Sequence, residues 1–412
     1  MSLQPTSAAS RVNKTIKQNT LFSILIAISF VHLLNDSMQS VVSAMFPIVE
    51  DSLGLTLGQI GWIAFTLNMT SSVLQPVVGI LSDKKPSPWL LPAGMACSLL
   101  GMAGLAYAPN IWVLLLAVVF VGLGSAVFHP EGSRVVYFAA GARRGLAQSI
   151  YQVGGNFGQA LAPLMTMYIF VPLGQSGAVY GTLLAITALI ILYRVVPWYR
   201  NQLAEKGRPA PKGKPAAEGA TVQKLPAYSN RVITFALLLL LILVFARSCY
   251  AAVIGSFYNF FLQDEYGLSI RQAQLPLFLF MAAGVAGTFV GGIMADRFGR
   301  KRMMLFSIFG AAPFALMLPQ LPLFWVYPVI VILGFILLSG FSVSVVYAQE
   351  LMPGNVGMAS GLITGLAFGM GGIGALVVGT AADHYGLSNV MIVCSALPVL
   401  GMLSVFLPKD RR

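Results

Sequence analysis

The sequence predicts an all-α membrane protein, with twelve transmembrane helices in two pseudo-symmetric six-helix bundles. Three observations predict it. Of 412 residues, 57% are hydrophobic and 9% charged, against about 25% charged in soluble domains, too few to cover a water-exposed surface. Apolar runs of roughly 20 residues, the length that crosses a hydrocarbon core of about 30 Å, recur along the chain. One long polar segment divides these runs six and six. Continuous runs of this length exclude a β-barrel, whose strands alternate in polarity.

The first six runs lie near 21–49, 57–81, 88–108, 111–138, 146–170 and 174–197. The first follows a polar tail, 1–19, bearing Arg11, Lys14 and Lys17, and it lacks a small-residue cleavage site. It therefore reads as a retained helix and not a signal peptide. Lys84 and Lys85 follow the second run, and Arg143 and Arg144 precede the fifth. Residues 198–231, with the string RPAPKGKPAAEG, read as a solvated basic linker that cannot bury enough apolar surface to fold. The second six runs lie near 232–262, 270–295, 303–320, 324–351, 357–382 and 388–407, with 409–412 as a tail. Arg297, Arg300, Lys301 and Arg302 separate the eighth from the ninth. The alternate gaps hold Arg271 alone among basic residues, with Glu50, Asp51, Asp264 and Glu265. By the positive-inside rule both termini and the linker are expected on the cytoplasmic side of the membrane. The formal charge of +12 is thereby assigned to topology, and no nucleic-acid partner is expected. Cys97, Cys249 and Cys394 sit apart in apolar runs and read as packing residues.

Two strings repeat at offsets of 213 and 212 residues. Gly79-Ile-Leu-Ser-Asp83-Lys84-Lys85 ends the second run, and Gly292-Ile-Met-Ala-Asp296-Arg297-Phe-Gly299-Arg300-Lys301-Arg302 ends the eighth. Gly145-Leu-Ala-Gln148 opens the fifth run and Gly357-Met-Ala-Ser360 the eleventh. Nearly equal offsets at two places indicate a duplicated six-helix unit.

GGIMADRFGRKR resembles the signature loop of the major facilitator superfamily, and GILSDKK resembles a degraded copy without the later glycine. HLLNDSMQS, FHPEGSR, QSIYQVGGNFG and VYAQELMPG resemble its fosmidomycin-resistance branch of bacterial drug exporters, in order along the chain. The resemblance implies alternating access between two halves, coupled to protons. In the signature loops, Asp83, Asp296 and Arg297 read as a gate whose contacts break and reform, or as interfacial anchors. Glu350, at the expected inner end of the tenth run, is the fourth gating candidate.

Ionisable groups at membrane depth are functional candidates by default. His32, Asn35, Asp36 and Gln39 stand at i, i+3, i+4 and i+7, on one face of the first helix. Burial favours the neutral form of Asp36, which makes it the first proton-carrier candidate; the alternative is a structural hydrogen-bonded cluster. His129, Glu131 and Arg134 form a second group around Pro130, and Glu131 is the second carrier candidate, with His129 beside it. Glu131 and Arg134 at i, i+3 can also simply neutralise each other. Gln148, Tyr151, Gln152 and Asn156, with Gln159 beyond, line the fifth helix as amide and hydroxyl donors for a solute, while the glycines of GGNFG suit close helix packing. Arg247, always charged, needs either an anionic substrate or a fixed pair with Asp36 or Glu350. Tyr250, Tyr258 and Tyr347 complete the candidate substrate contacts.

The expectation is a proton-coupled antiporter exporting fosmidomycin-like phosphonates or other small drugs, acting as a monomer on anionic or polar solutes. The alternative is an importer or exchanger of sugar phosphates or organic anions on the same fold. No HExxH, nucleophile–base or Walker pattern occurs, so neither an enzyme, a bound metal or cofactor, nor direct use of ATP is expected.

Overall fold

The computed structural model describes residues 20–141, 144–206, 229–352 and 356–408. The expectations placed on the two tails, on 207–228 and on the side chains of Asp83, Gln148 and Asp296 lie outside the described residues. Every regular element among the described residues is helical. We number them by the principal helix of each run: α1 Phe22–Ala44, α2 Leu57–Lys84, α3 Leu90–Tyr107, α4 Ile111–Ala139, α5 Arg144–Met165 and α6 Gly181–Lys206. Then come α7 Asn230–Tyr266, α8 Ile270–Phe298, α9 Arg300–Ile308, α10 Leu323–Leu338, α11 Val356–Tyr385 and α12 Leu387–Cys394. Short helices continue several of them, including Phe46–Leu53 after α1 and Phe341–Leu351 after α10.

With these continuations, nine helices among the described residues are long and apolar enough to cross a membrane. The other three, α2, α5 and α11, have 28, 22 and 30 residues and take the second, fifth and eleventh places. The helical order thus matches the order of the twelve apolar runs. One boundary differs from expectation: α6 does not stop at Pro197 but continues to Lys206. The stretch Trp198–Lys206 lacks proline and glycine, and Tyr199 is fully buried, so packing extends the helix until the Gly/Pro-rich sequence begins.

Packing repeats with the sequence. α1 lies on α5 as α7 lies on α11, and α2 on α4 as α8 on α10. Glycines set the closest approaches. A Cβ at Gly154 or Gly158 of α5 would strike the α1 backbone at Ser29 or Leu33, so these positions let the two helices touch. The signature loop needs its glycine for another reason. Gly299, between α8 and α9, has φ +96°, a conformation that L side chains rarely adopt. In the first copy the position matching Gly299 is Pro86, after a helix capped by Lys85 with φ −136°, so that turn takes negative φ and requires no glycine.

Candidate functional site

α1, α4 and α5 bring four polar side chains to one carboxylate. Asp36, buried near the middle of α1, has two oxygens that are served in the same way. Oδ1 accepts from the amide of Asn35 at 3.1 Å and faces His129 Nε2 at 3.4 Å. Oδ2 accepts from the amide of Gln159 at 3.0 Å and faces His32 Nε2 at 3.4 Å. A carboxylate receiving two amide donors is suited to its ionised, acceptor-only form. In its ionised form Asp36 would keep these polar partners in place of water, which offsets part of the cost of burial.

The imidazoles are held from behind. His32 Nδ1 donates to the carbonyl of Tyr151 at 2.8 Å, and His129 Nδ1 donates to that of Ser125 at 2.9 Å. A carbonyl only accepts, so both Nδ1 atoms carry hydrogen, and each Nε2 facing Asp36 is either bare or protonated. With both bare, lone pairs would oppose the carboxylate and the cluster would carry −1 at membrane depth. One proton on either Nε2 makes an imidazolium–carboxylate group of zero net charge. The His32 ring also stacks on Tyr151, with centroids 4.0 Å apart. Gly155 makes room for it: a Cβ there would lie 2.5 Å from the His32 ring and 2.8 Å from Asp36 Oδ2. His129 retains 26% side-chain exposure, while His32 and Asp36 have 1% and 3%, so His129 is the least buried member of the cluster.

His32 Nε2, one Asp36 oxygen and His129 Nε2 lie within 4.8 Å of one another and are the described residues that could gather round a metal ion. Each imidazole faces a different carboxylate oxygen at 3.4 Å, and His32 Nε2 makes no hydrogen bond among the described residues. Sequence spacing could not show this group, because its ligand atoms come from α1 and α4.

Glu131 lies apart from this cluster, and His129 faces Asp36 and not Glu131. Two residues apart on a helix, their side chains diverge. Glu131, wholly buried, pairs with Arg134 at 3.1 Å and accepts from Tyr199 OH of α6 at 2.8 Å. Arg134 also donates to the Ser82 carbonyl of α2 at 3.1 Å. This network joins three helices. Sequence reasoning misses Tyr199, because it lies in a segment that reads as linker.

Among the expected substrate contacts, Gln39 bonds with Ser125 and Ser71, and Gln152 donates to Asn156 at 3.0 Å. In the second half, Tyr250 and Tyr258 are buried on α7, and the Tyr258 ring stacks on Phe261. Tyr347 OH donates to the Pro408 carbonyl at 3.0 Å, tying the helix after α10 to the chain end and away from Arg247. Glu350 pairs with Arg300 of the signature loop at 3.0 Å, and Arg297 lies over the Phe298 ring.

Arg247, on α7, is 2% exposed. Its guanidinium sits 5.1 Å over the Phe341 ring, and Nη1 donates to Ser344 Oγ at 3.4 Å. Nη2 has no hydrogen-bond partner, and no described carboxylate pairs with Arg247. Both fixed pairs expected as alternatives are thus absent among the described residues: Asp36 is engaged with imidazoles and Glu350 with Arg300. The break between Leu338 and Phe341 lies beside Arg247, where Gly340 packs. Broken helices at membrane depth commonly line solute sites. Arg247 stands 211 positions after Asp36, so the duplicated unit carries an acid in one copy and a base near the matching place in the other.

The model of the Major Facilitator Superfamily matches residues 28–373 and 239–412. The chain belongs to the Major Facilitator Superfamily. It is 50% identical over 407 residues, 98% of each chain, to a protein of Bacillus subtilis (strain 168) described as the uncharacterized MFS-type transporter YfnC. It is 48% identical over 412 residues, 100% of this chain and 99% of the relative, to the fosmidomycin resistance protein of Escherichia coli (strain K12). The fold is shared with a bacterial homolog of the human lysosomal transporter Spinster, at TM-score 0.74, 14% identity, and 95% and 98% coverage. The chain is therefore a multi-pass membrane transporter of a small-molecule substrate.

The Glu131 network gives a prediction that separates it from the Asp36 cluster. Tyr199→Phe leaves a buried carboxylate short of a donor and should destabilise the fold by about 1–3 kcal/mol. Thermal unfolding in detergent should show the loss, while pH-driven transport persists. Unchanged stability with lost pH coupling would return Glu131 to the coupling site.

Proposed function

We propose that the protein is a proton-coupled antiporter of the bacterial inner membrane, with cytoplasmic termini, exporting anionic phosphonate-like drugs. The observation that carries the coupling is the Asp36 cluster, whose net charge is zero with one proton and −1 without it. A charge at membrane depth costs several kcal/mol unless compensated. Proton release therefore favours whichever conformation hydrates the cluster, and His129, the partly exposed member, is its exit. Transport is coupled when an anionic solute and the proton alternate in stabilising the same passage between states.

Arg247 supports the substrate class. A buried guanidinium with a free donor and no carboxylate partner among the described residues attracts a planar or tetrahedral oxyanion, which can take bidentate hydrogen bonds. The 48% identical relative is named for resistance to fosmidomycin, and a phosphonate supplies such an oxyanion. Orientation rests on the lysine and arginine asymmetry of the gaps. Import or exchange of organic anions uses the same Arg247 chemistry, and the direction of the driving gradient in vesicles separates the two.

Two outcomes test this reading. Asp36→Asn should abolish pH-driven export in proteoliposomes yet preserve gradient-free substrate exchange, which needs alternation without net proton movement. Full pH-driven export by that variant would place coupling elsewhere. Arg247→Gln should weaken phosphonate binding by at least about tenfold, the factor for losing a charge-assisted hydrogen bond. Arg247→Lys should retain part of the affinity, keeping charge but not the fork. Equal losses for phosphonates and neutral solutes would make Arg247 a structural residue.

A further inference from the structure

With the termini in the cytoplasm, the start of α2 and the end of α11 lie on the outer side of the membrane, and a gate formed by them rests on that proposed orientation. These two helices come from opposite halves and run antiparallel in close contact. A Cβ at Gly61 would lie 2.8 Å from the Ala375 carbonyl, and one at Gly372 would lie 2.8 Å from Asn68 Cβ. Gly379 packs likewise on Leu57, and Gly365 faces Ser72 more loosely, at 3.9 Å. The seam is thus tightest from residue 57 to residue 68 of α2. On the remaining turns Val73, Val77 and Leu81 are exposed.

At the outer end of this seam a carboxylate from one half caps a helix of the other. Within α2 the capping box of Thr56 and Gln59 satisfies the Gln59 N–H. The Gly58 N–H is left over, and Asp383 Oδ2 accepts it at 2.8 Å, 325 positions away. We propose that Asp383 is the latch of the outer gate, holding α11 against the N-terminus of α2 while the transporter is closed to the outside.

Three features suit this contact to repeated opening. Asp383 is exposed, so both groups regain water when its bond breaks and can pair again when the gate closes. Buried polar groups of the second half are incompletely satisfied: Gln274 of α8 donates to the Ala44 carbonyl of α1 at 3.1 Å, but its own Oε1, like Asn259 Nδ2 and Tyr258 OH of α7, has no hydrogen-bond partner among the described residues. Hydration on opening would satisfy these groups, so closure needs a compensating hold. The rim adds repulsion. Burial, and then Asp51 and Asp264, push the Glu50 carboxyl above its ordinary range, so acids of the two halves approach each other when the gate is shut. A charge-assisted bond to a helix N-terminus opposes both effects.

The full chain in proteoliposomes, with Cys97, Cys249 and Cys394 replaced by Ser and Ala375→Cys as reporter, tests the latch. The reagent is a membrane-impermeant maleimide added to one side only. The parent should label slowly, because residue 375 is buried in the seam. Asp383→Ala should label about tenfold faster from the outer side, and Asp383→Asn, which keeps an acceptor without the charge, should fall between. A monodisperse Asp383→Ala protein labelling at the parental rate would overturn the latch. Faster labelling from the inner side alone would support the latch and overturn the orientation.

Discussion

Two carbonyl oxygens, those of Ser125 and Tyr151, decide the chemistry of the N-terminal half. Each holds the Nδ1 hydrogen of one histidine and so aims that ring's Nε2 at Asp36. A carboxylate opposed by two bare lone pairs in a membrane interior is unfavourable, and a single proton relieves it. The rest of the half positions these groups: Gly154 and Gly158 bring α5 onto α1, Gly155 leaves space for the ring, and Gln159 completes the carboxylate shell. A bulkier α5 would separate His32 from its carbonyl and release its tautomer.

The second half uses the duplicated frame for the opposite charge. Arg247 stands near the place corresponding to Asp36, beside a break in the tenth helical run rather than beside imidazoles. Its cost of burial is met in part by Phe341 and Ser344, and one nitrogen remains for a ligand. In the proposed function the acid takes the proton and the base takes the anion, one in each half of the duplicated frame. Each ligand acts by stabilising one conformation more than the other.

The class of the fold was legible in composition and in the length of the apolar runs, because a bilayer imposes both. The membership of the Asp36 cluster was half legible. The i, i+4 spacing put His32 and Asp36 on one face, and depth marked both as functional. The pairing of α1 with α4 and α5 was not readable from one helix's periodicity, so His129 appeared to belong with Glu131 and Gln159 had no assigned partner. Tyr199 was hidden by a polar, aromatic stretch that reads as linker until its burial is known. The Ser339–Gly340 pair, a breaker signal inside an apolar run, could have marked the site beside Arg247.

Under the proposed coupling, both imidazoles carry hydrogen on Nδ1 and share one further proton at Asp36. The chain has three histidines, so nitrogen-15 labelling of histidine, compared with a His384→Gln sample, isolates His32 and His129. Magnetic resonance at neutral pH should show protonated Nδ1 in both rings and one Nε2 proton distributed between them. A bare Nδ1 in either ring, or two neutral imidazoles beside an ionised Asp36, would contradict the account.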